Sequence, residues 1–199
     1  GLALAYSIGW LIFKHYTQKN MTTPKLKLGF IGLGIMGTPM AQHLLNAGHQ
    51  LFTYTRSKTP ASLTEAGAAL CGSATDVAKL ADIIFLMVPD TPDVENVLFG
   101  ANGVAAGLSK GKVVVDMSSI SPIATKTFAQ KINAVGCDYL DAPVSGGEVG
   151  AKNATLTIMV GGTEPAFERV KPLFELMGKN ITLVGANGDG QTAKVANQI

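Results

Sequence analysis

The sequence predicts an α/β fold with a doubly wound, mostly parallel sheet of the Rossmann type. Segments with the pattern of strands alternate with segments with the pattern of helices along most of the 199 residues. The run IIFLMV at 83–88 is apolar throughout, as expected of a parallel strand that is covered on both faces. The first strand is followed by a glycine-rich turn and a helical pattern, which is how dinucleotide-binding units begin.

That glycine-rich turn joins an apolar strand at 28–31 to a helix. The first glycine permits the tight turn, the second lets the backbone approach a pyrophosphate, and the third lets the helix pack close to the strand. The free N–H groups of the helix's first turn would then face the phosphates. The candidate cofactor-binding residues of the turn are Gly32, Leu33, Gly34, Ile35, Met36 and Gly37. The alternative is a strand-to-helix turn that binds nothing.

The second strand, predicted at 51–55, carries the signal for the type of nicotinamide cofactor. An acidic residue at its end would bond the ribose 2′-OH of NAD. The sequence has Thr55, Arg56 and Ser57 there instead. A guanidinium can pair with a 2′-phosphate, and the two hydroxyls can assist, so we expect NADP(H) to be favoured and NAD(H) to be possible. A solvated surface arginine is the alternative.

The chain then continues with a short helix at 59–66 and a short strand at 68–71. Ser73 is a candidate N-cap for a helix that extends through Leu80. The apolar strand at 83–88 follows and ends at a proline-rich turn, after which we predict a helix at 93–99. Loops at the carboxyl ends of parallel strands form the ligand crevice, so we expect cofactor contacts from Val88, Pro89 and Asp93. A proline-rich connection without a binding role is the alternative.

The next strand is predicted at 113–117, and Ser119 lies just past its carboxyl end. This hydroxyl is a candidate ligand for the ribose or the nicotinamide. Ser121 and Pro122 read as the N-cap and first residue of a helix that reaches Val135. Helix capping explains Ser121, and it is the alternative for Ser119.

A short strand at 137–140 leads into the sequence DAPVSGG. Ser145, Gly146 and Gly147 present a hydroxyl and two unobstructed N–H groups, which form a small anion nest suited to a carboxylate. An ordinary glycine turn is the alternative. Beyond it we predict a strand at 155–160, a helix at 164–177 and a last strand at 181–184.

The final predicted element is a helix at 191–199. Lys194, Asn197 and Gln198 are spaced i, i+3 and i+4, so they share one helical face. That face is either a solvated surface or a proton donor with partners that hold it in place, and spacing does not decide between them.

The composition restricts the partners. A net charge of +2 creates no strong field for nucleic acid or for an acidic membrane, so we expect neither as a partner. Cys71 and Cys137 have no metal-binding spacing, so we expect no metal site, reduced thiols and a cytoplasmic location. Residues 1–20 combine a short apolar run with a polar one and look foreign to the rest. We interpret them as a leader that is disordered or artefactual, with Met21 as the natural start and a weak membrane anchor as the alternative.

Three strings now occur together in one order: GFIGLGIMGTPMA at 29–41, DAPVSGG at 141–147 and GDGQTAKVANQ at 188–198. On these strings the chain resembles the β-hydroxyacid dehydrogenases, from Leu26 to Ile199. The DMSSISP stretch at 116–122 and the VANQ ending at 195–198 are most similar to the tartronate semialdehyde reductase branch. The 3-hydroxyisobutyrate dehydrogenase branch is the first alternative, and a non-catalytic NADP-binding module is the second.

The resemblance implies roles for individual residues. Lys194 matches the catalytic lysine, and Ser145, Gly146 and Gly147 match the site for the substrate carboxylate. Asn197 matches an amide neighbour of the lysine. Gln198 is a further candidate substrate contact, although it stands where the 3-hydroxyisobutyrate branch has a second asparagine. The implied reaction is NAD(P)H-dependent reduction of a three-carbon semialdehyde, with D-glycerate as the product in the favoured branch.

The resemblance also implies a domain organisation. Residues 21–188 would form the NAD(P)-binding domain, and residues 189–199 would start the helix that leads into an all-helical C-terminal domain. That domain closes the active site in the family and supports a homo-oligomer, and we expect it to be truncated in this chain.

Overall fold

The computed structural model describes residues 24–198, in which nine strands form one mixed sheet with helices on both faces. The strands are β1 (Lys27–Ile31), β2 (Gln50–Tyr54), β3 (Ala69–Leu70), β4 (Ile83–Leu86), β5 (Val113–Asp116), β6 (Asp138–Asp141), β7 (Val144–Ser145), β8 (Leu156–Gly161) and β9 (Gly178–Gly185). The predicted leader at 1–20 lies outside the described residues, as do Met21 and Ile199.

Eight α-helices and one short 3-10 helix alternate with these strands in the described part of the chain. The helices are α1 (Gly37–Asn46), α2 (Ala61–Glu65), α3 (Ala74–Leu80), α4 (Thr91–Phe99), α5 (Pro122–Ala134), α6 (Gly147–Lys152), α7 (Glu164–Phe174) and α8 (Asp189–Ala196), and the 3-10 helix is Val104–Gly107. Among them, no helix is long and apolar enough to cross a membrane.

The strand order confirms the predicted fold class. Strands β3, β2, β1, β4, β5 and β6 lie side by side and are all parallel, which is the order of a doubly wound dinucleotide-binding fold. Strand β8 extends the sheet antiparallel to β6 and β7, and β9 pairs parallel with β8. The chain passes to opposite sides of β1 through β2 and β4, so a ligand crevice is expected where these strands end.

The core explains why the central strands are apolar throughout. Successive residues of a strand point to opposite faces of the sheet. In β4, Ile83 and Phe85 pack into the cluster on one face, whereas Ile84 and Leu86 pack into the cluster on the other. Helices therefore bury both faces of the sheet, so a ligand can reach the sheet only at the ends of the strands.

Most predicted boundaries differ from the structure by one to three residues, and the differences have local causes. Helix α4 begins at Thr91 because the Asp90 side chain caps it by accepting a hydrogen bond from Asp93 N at 3.1 Å. The predicted caps of α3 and α5 are confirmed: Ser73 accepts from Asp76 N, and Ser121 accepts from Ala124 N.

Three elements in the second half also correct the prediction. Helix α7 ends at Phe174 rather than at residue 177, and β9 begins at Gly178 rather than at 181. Helix α6 was not predicted at all. It starts at Gly147, so the Ser-Gly-Gly sequence opens a helix and is not an isolated turn.

Candidate active site

A cavity of about 460 Å³ opens at the carboxyl ends of β1, β2 and β4. It brings together twelve of the thirteen residues that the sequence nominated for a cofactor: Gly32, Leu33, Gly34, Ile35, Met36, Gly37, Thr55, Arg56, Ser57, Val88, Pro89 and Ser119. The sequence missed four further lining residues, Ile31, Tyr54, Met87 and Val97. These residues lie in or next to apolar strand and helix segments, and such a pattern predicts burial in the core but not contact with a cofactor.

The glycine turn has the shape of a phosphate cradle. Gly32 adopts a φ of +95°, and a Cβ there would overlap the Met87 carbonyl. A Cβ on Gly37 would overlap the Gly32 carbonyl, so this glycine allows α1 to approach the turn. A Cβ on Gly34 would meet no protein atom within 4 Å. The backbone at Gly34 is therefore exposed to the cavity, where a ligand can approach it closely.

Helix α1 begins at this cradle without a side-chain cap. The Thr38 hydroxyl donates to the Leu33 carbonyl at 2.8 Å and closes the turn from inside. The helix N-terminus therefore offers its positive end to an anion. Within the first turn of α1, Thr38 N already donates to the Gly34 carbonyl at 3.0 Å and Pro39 has no N–H, so an anion has to be bound by the N–H groups of the glycine turn itself. The cradle, the helix end and the cavity together fit a dinucleotide.

The outer end of the cavity carries positive charge. Arg56 is 67% exposed, and its Nη2 lies 2.8 Å from Asp93 Oδ1. The hydroxyls of Thr55 and Ser57 lie 3.3 Å apart beside it. Asp93 is the thirteenth residue that the sequence predicted to contact the cofactor, and it does not line the cavity. It contacts Arg56, which does.

The inner end of the cavity is formed by Ser119. The segment before it is fixed by its neighbours: Val88 N donates to Ser118 Oγ at 3.0 Å, and Ser118 N donates to Asp116 Oδ1 at 3.0 Å. Ser118 is fully buried, whereas Ser119 is exposed to the cavity.

Lys194 lies on α8 and is 9% exposed. Its Nζ donates to the Val144 carbonyl and to Ser145 Oγ, both at 2.8 Å. Burial lowers the pKa of the Lys194 ammonium below its ordinary value. Neither of the two ion pairs found among residues 24–198 includes Lys194. The structure thus joins the nominated lysine and serine, 49 residues apart, in one hydrogen bond.

The two glycines after Ser145 have positive φ, +131° at Gly146 and +59° at Gly147, and both are exposed. Helix α6 follows directly and is held to α1 by a contact of 2.8 Å between His43 Nε2 and the Ala151 carbonyl. The exposed turn beside Ser145 is consistent with the nominated anion nest.

Asn197 and Gln198 do not join this cluster. Helix α8 ends at Ala196, so Asn197 is its C-cap, and both amides are exposed. Asn197 Nδ2 lies 3.6 Å from Met159 Sδ and makes no hydrogen bond to Lys194.

Sequence reasoning missed two buried carboxylates beside the site. Asp141 accepts hydrogen bonds from Gly188 N at 2.8 Å and from Gln191 N at 3.1 Å, at the start of α8. Asp116 accepts from Ser118 N and, at 2.9 Å, from the Tyr139 hydroxyl. Burial raises the pKa of Asp141 and raises that of Asp116 to about 6. Apart from Ser118, their partners lie 23 to 50 residues away in sequence, so no local pattern could reveal this burial and bonding.

Comparison with known proteins places this geometry in context. The model of a family described as the NAD binding domain of 6-phosphogluconate dehydrogenase matches residues 27–185. The 2-hydroxy-3-oxopropionate reductase of Escherichia coli (strain K12) is 66% identical over 174 residues, which are 87% of this chain and 60% of that protein. The chain therefore spans about three fifths of the length of this relative.

Solved structures agree in fold. Mycobacterium tuberculosis 3-hydroxyisobutyrate dehydrogenase with L-serine has a TM-score of 0.82 and 36% identity, with 87% of this chain and 59% of that chain covered. Psf3 in complex with NADP+ and 2-OPP has a TM-score of 0.82 and 30% identity, with 85% and 61% covered.

Proposed function

The chain belongs to the family that shares the NAD binding domain of 6-phosphogluconate dehydrogenase, and within this family it is one of the β-hydroxyacid dehydrogenases. We propose that the protein is a tartronate semialdehyde reductase. It reduces tartronate semialdehyde (2-hydroxy-3-oxopropanoate) to D-glycerate with NAD(P)H. The observation that carries the proposal is the buried Lys194 ammonium, which donates to Ser145 Oγ and has no carboxylate partner among the described residues. A substrate with a carboxylate and a carbonyl would complete this arrangement.

The cofactor is held by the glycine cradle and by the N-terminus of α1, which take its pyrophosphate. Val88, Pro89 and Ser119 border its nicotinamide half. When bound, the reduced nicotinamide supplies a hydride to the aldehyde carbon.

Lys194 is the general acid. Its ammonium donates a proton to the carbonyl oxygen as that oxygen becomes an alkoxide, and the cation stabilises the developing negative charge. The product is an alcohol, and Lys194 regains its proton from solvent. The lowered pKa supports this role, because a lysine that titrates closer to neutral pH gives up its proton more readily.

Ser145 and the N–H groups of Gly146 and Gly147 bind the substrate carboxylate and so fix the carbonyl beside Lys194. The L-serine named with the Mycobacterium tuberculosis relative also has a carboxylate and a β-hydroxyl, which supports this class of substrate. Asn197 and Gln198 are proposed as contacts to the substrate that form only when it is bound.

We propose that NADP(H) is favoured over NAD(H). The exposed Arg56 at the outer end of the cavity supports this preference, as does a structural relative in complex with NADP+. Arg56→Ala should lower the ratio of NADPH affinity to NADH affinity. An unchanged ratio in equilibrium titrations would refute the assignment of Arg56.

The domain organisation follows the same proposal. Residues 21–188 form the NAD(P)-binding domain, and α8 is the beginning of the helix that leaves it. The helical start at Asp189 supports this division.

The direct test of substrate is the loss of nicotinamide absorbance with the protein at its full natural length. Tartronate semialdehyde and methylmalonate semialdehyde are supplied in parallel, each with NADPH and then with NADH. We expect faster reduction of tartronate semialdehyde. Preference for methylmalonate semialdehyde would favour a 3-hydroxyisobutyrate dehydrogenase, and NADPH binding without reduction of either would indicate a non-catalytic module.

A further inference from the structure

The Gln191 side chain is the only amide that bridges the catalytic helix α8 and the cofactor loop within residues 24–198, and it is 1% exposed. Its Nε2 donates to the Ser118 carbonyl at 2.7 Å. Its Oε1 accepts from Ile120 N at 3.1 Å. These two backbone groups lie on either side of Ser119, so a single side chain holds both ends of the residue that faces the nicotinamide half of the cavity.

Gln191 is also fixed from behind. Its own N–H donates to Asp141 Oδ2, and Gly190 packs so closely that a Cβ there would lie 2.6 Å from the Met159 carbonyl and 2.7 Å from the Asp141 carbonyl. Helix α8 therefore has little freedom to slide along the sheet. We call the two hydrogen bonds from the Gln191 side chain to the loop at 118–120 the clamp, because they join this loop to α8.

Lys194 lies three residues after Gln191, so the two side chains are separated by about 4.5 Å along the helix axis. Both point to the buried side of α8. We propose that Gln191 is a positioning residue that sets the distance between the proton donor Lys194 and the nicotinamide contact Ser119. The inference rests on the proposed function, because it assigns a role within the same hydride transfer.

The clamp makes a specific kinetic prediction. Gln191→Met keeps a long, unbranched side chain but removes both hydrogen bonds to the loop. A misplacement of reacting groups by about 1 Å can cost about 100-fold in rate. We therefore expect kcat to fall by about 100-fold while the Kd of NADPH and the KM of the semialdehyde stay within about 3-fold. With [4-²H]NADPH, the isotope effect on kcat should increase because hydride transfer becomes rate-limiting.

The matched control is Gln130→Met on the exposed side of α5, which should leave every parameter unchanged. A Gln191→Met protein that turns over within about 3-fold of the wild type would overturn the proposal. So would a loss seen only in NADPH affinity and thermal stability, since that is what a merely structural residue would produce.

A second measurement uses the wild type, in case Gln191→Met does not fold. Amide hydrogen exchange should show that Ile120 N–H opens together with the N–H groups of α8, because Oε1 of Gln191 is its acceptor. Fast, independent exchange of Ile120 would contradict the clamp. Hydrogen exchange does not depend on activity. If the wild type reduced neither semialdehyde, the proposed function would be refuted, and hydrogen exchange would still show whether Gln191 joins the loop to α8.

Discussion

Among single residues, Lys194 matters most, because reduction requires its ammonium to be protonated. Burial disfavours its charged form and lowers its pKa. A general acid must be protonated, so the rate of reduction should be constant at low pH and fall as pH rises through this pKa. The fall should occur at lower pH than the titration of an exposed lysine. Single-turnover reduction across pH measures it, and a rate that stays flat to about pH 11 would contradict the role.

Gly34 separates a binding effect from a folding effect. A Cβ at this position meets no protein atom within 4 Å, whereas a bound pyrophosphate would approach it. Gly34→Ala should leave the free energy of unfolding unchanged or raise it by up to about 1 kcal/mol, because alanine reduces the entropy of the unfolded chain. NADPH affinity should fall at least about tenfold. Calorimetric titration and denaturant unfolding of the same variant test both halves, and unaltered affinity would refute the cradle.

Asp93 is expected to moderate the cofactor preference. Its carboxylate forms an ion pair with the Arg56 guanidinium, with 2.8 Å between Asp93 Oδ1 and Arg56 Nη2. The same carboxylate would repel an incoming 2′-phosphate. Exposed pairs of this kind are worth up to about 1 kcal/mol. Asp93→Asn should therefore raise the NADPH-to-NADH affinity ratio by about 2- to 5-fold. The control is Glu95→Gln on the same helix, which removes one negative charge but does not alter the ion pair of Arg56. If both variants changed the affinity ratio equally, the change would come from the net charge and not from the loss of the Asp93–Arg56 pair.

At the scale of elements, the packing of α8 decides whether the site exists. Gly190 lies against the backbone carbonyls of Met159 and Asp141, so Gly190→Ala overpacks the contact. We expect the free energy of unfolding to fall by about 1–3 kcal/mol and turnover to fall with it. Gly34→Ala makes the same chemical change at an open position and serves as the control for the free energy of unfolding, which it should not lower. A Gly190→Ala protein as stable and active as the wild type would show that α8 docks differently.

Local sequence patterns predicted the strand, turn and helix at residues 28–46, because each choice there agrees with its neighbours. Helix α6 was missed because Gly147 and Gly150 are poor helix formers. Tertiary contacts hold it, including the bond of His43 to Ala151 and the packing of Leu156 against Gly150. The start of β9 was missed for a similar reason, since its pairing with β8 is imposed across the sheet.

The candidate site was predictable in its types of residue but not in its connections. Glycines, Arg56 and Lys194 carry chemistry that can be read locally. Gln191 and Asp141 act through partners 47 to 73 residues away, which only the fold brings near. The contact of Asn197 with Met159, 38 residues away, is likewise not visible in helical spacing.

At the scale of the whole molecule, a buried carboxylate should shape stability. Asp116 has a pKa of about 6 in the folded protein, above its value near 4 in an unfolded chain. The folded state therefore holds more protons than the unfolded state between these values. The free energy of unfolding contributed by this group is full below about pH 4 and is lost by about pH 6, a change of up to about 3 kcal/mol.

Asp116→Asn should remove this contribution. The difference in unfolding free energy between wild type and variant should change across pH 4 to 6 and be constant above it. Denaturant titrations at several pH values measure the difference. Asp141, whose pKa is also raised, is present in both proteins. Parallel curves for the two proteins would show that Asp116 does not titrate in this range.

The measurement that tests the central claim most directly is single-turnover hydride transfer from NADPH to tartronate semialdehyde, comparing wild type with Lys194→Ala at full natural length. If Lys194 is the general acid, the rate should fall by about 100-fold or more while the Kd of NADPH is unchanged. A variant that transfers hydride within about 3-fold of the wild-type rate would contradict the account, because another group would then supply the proton.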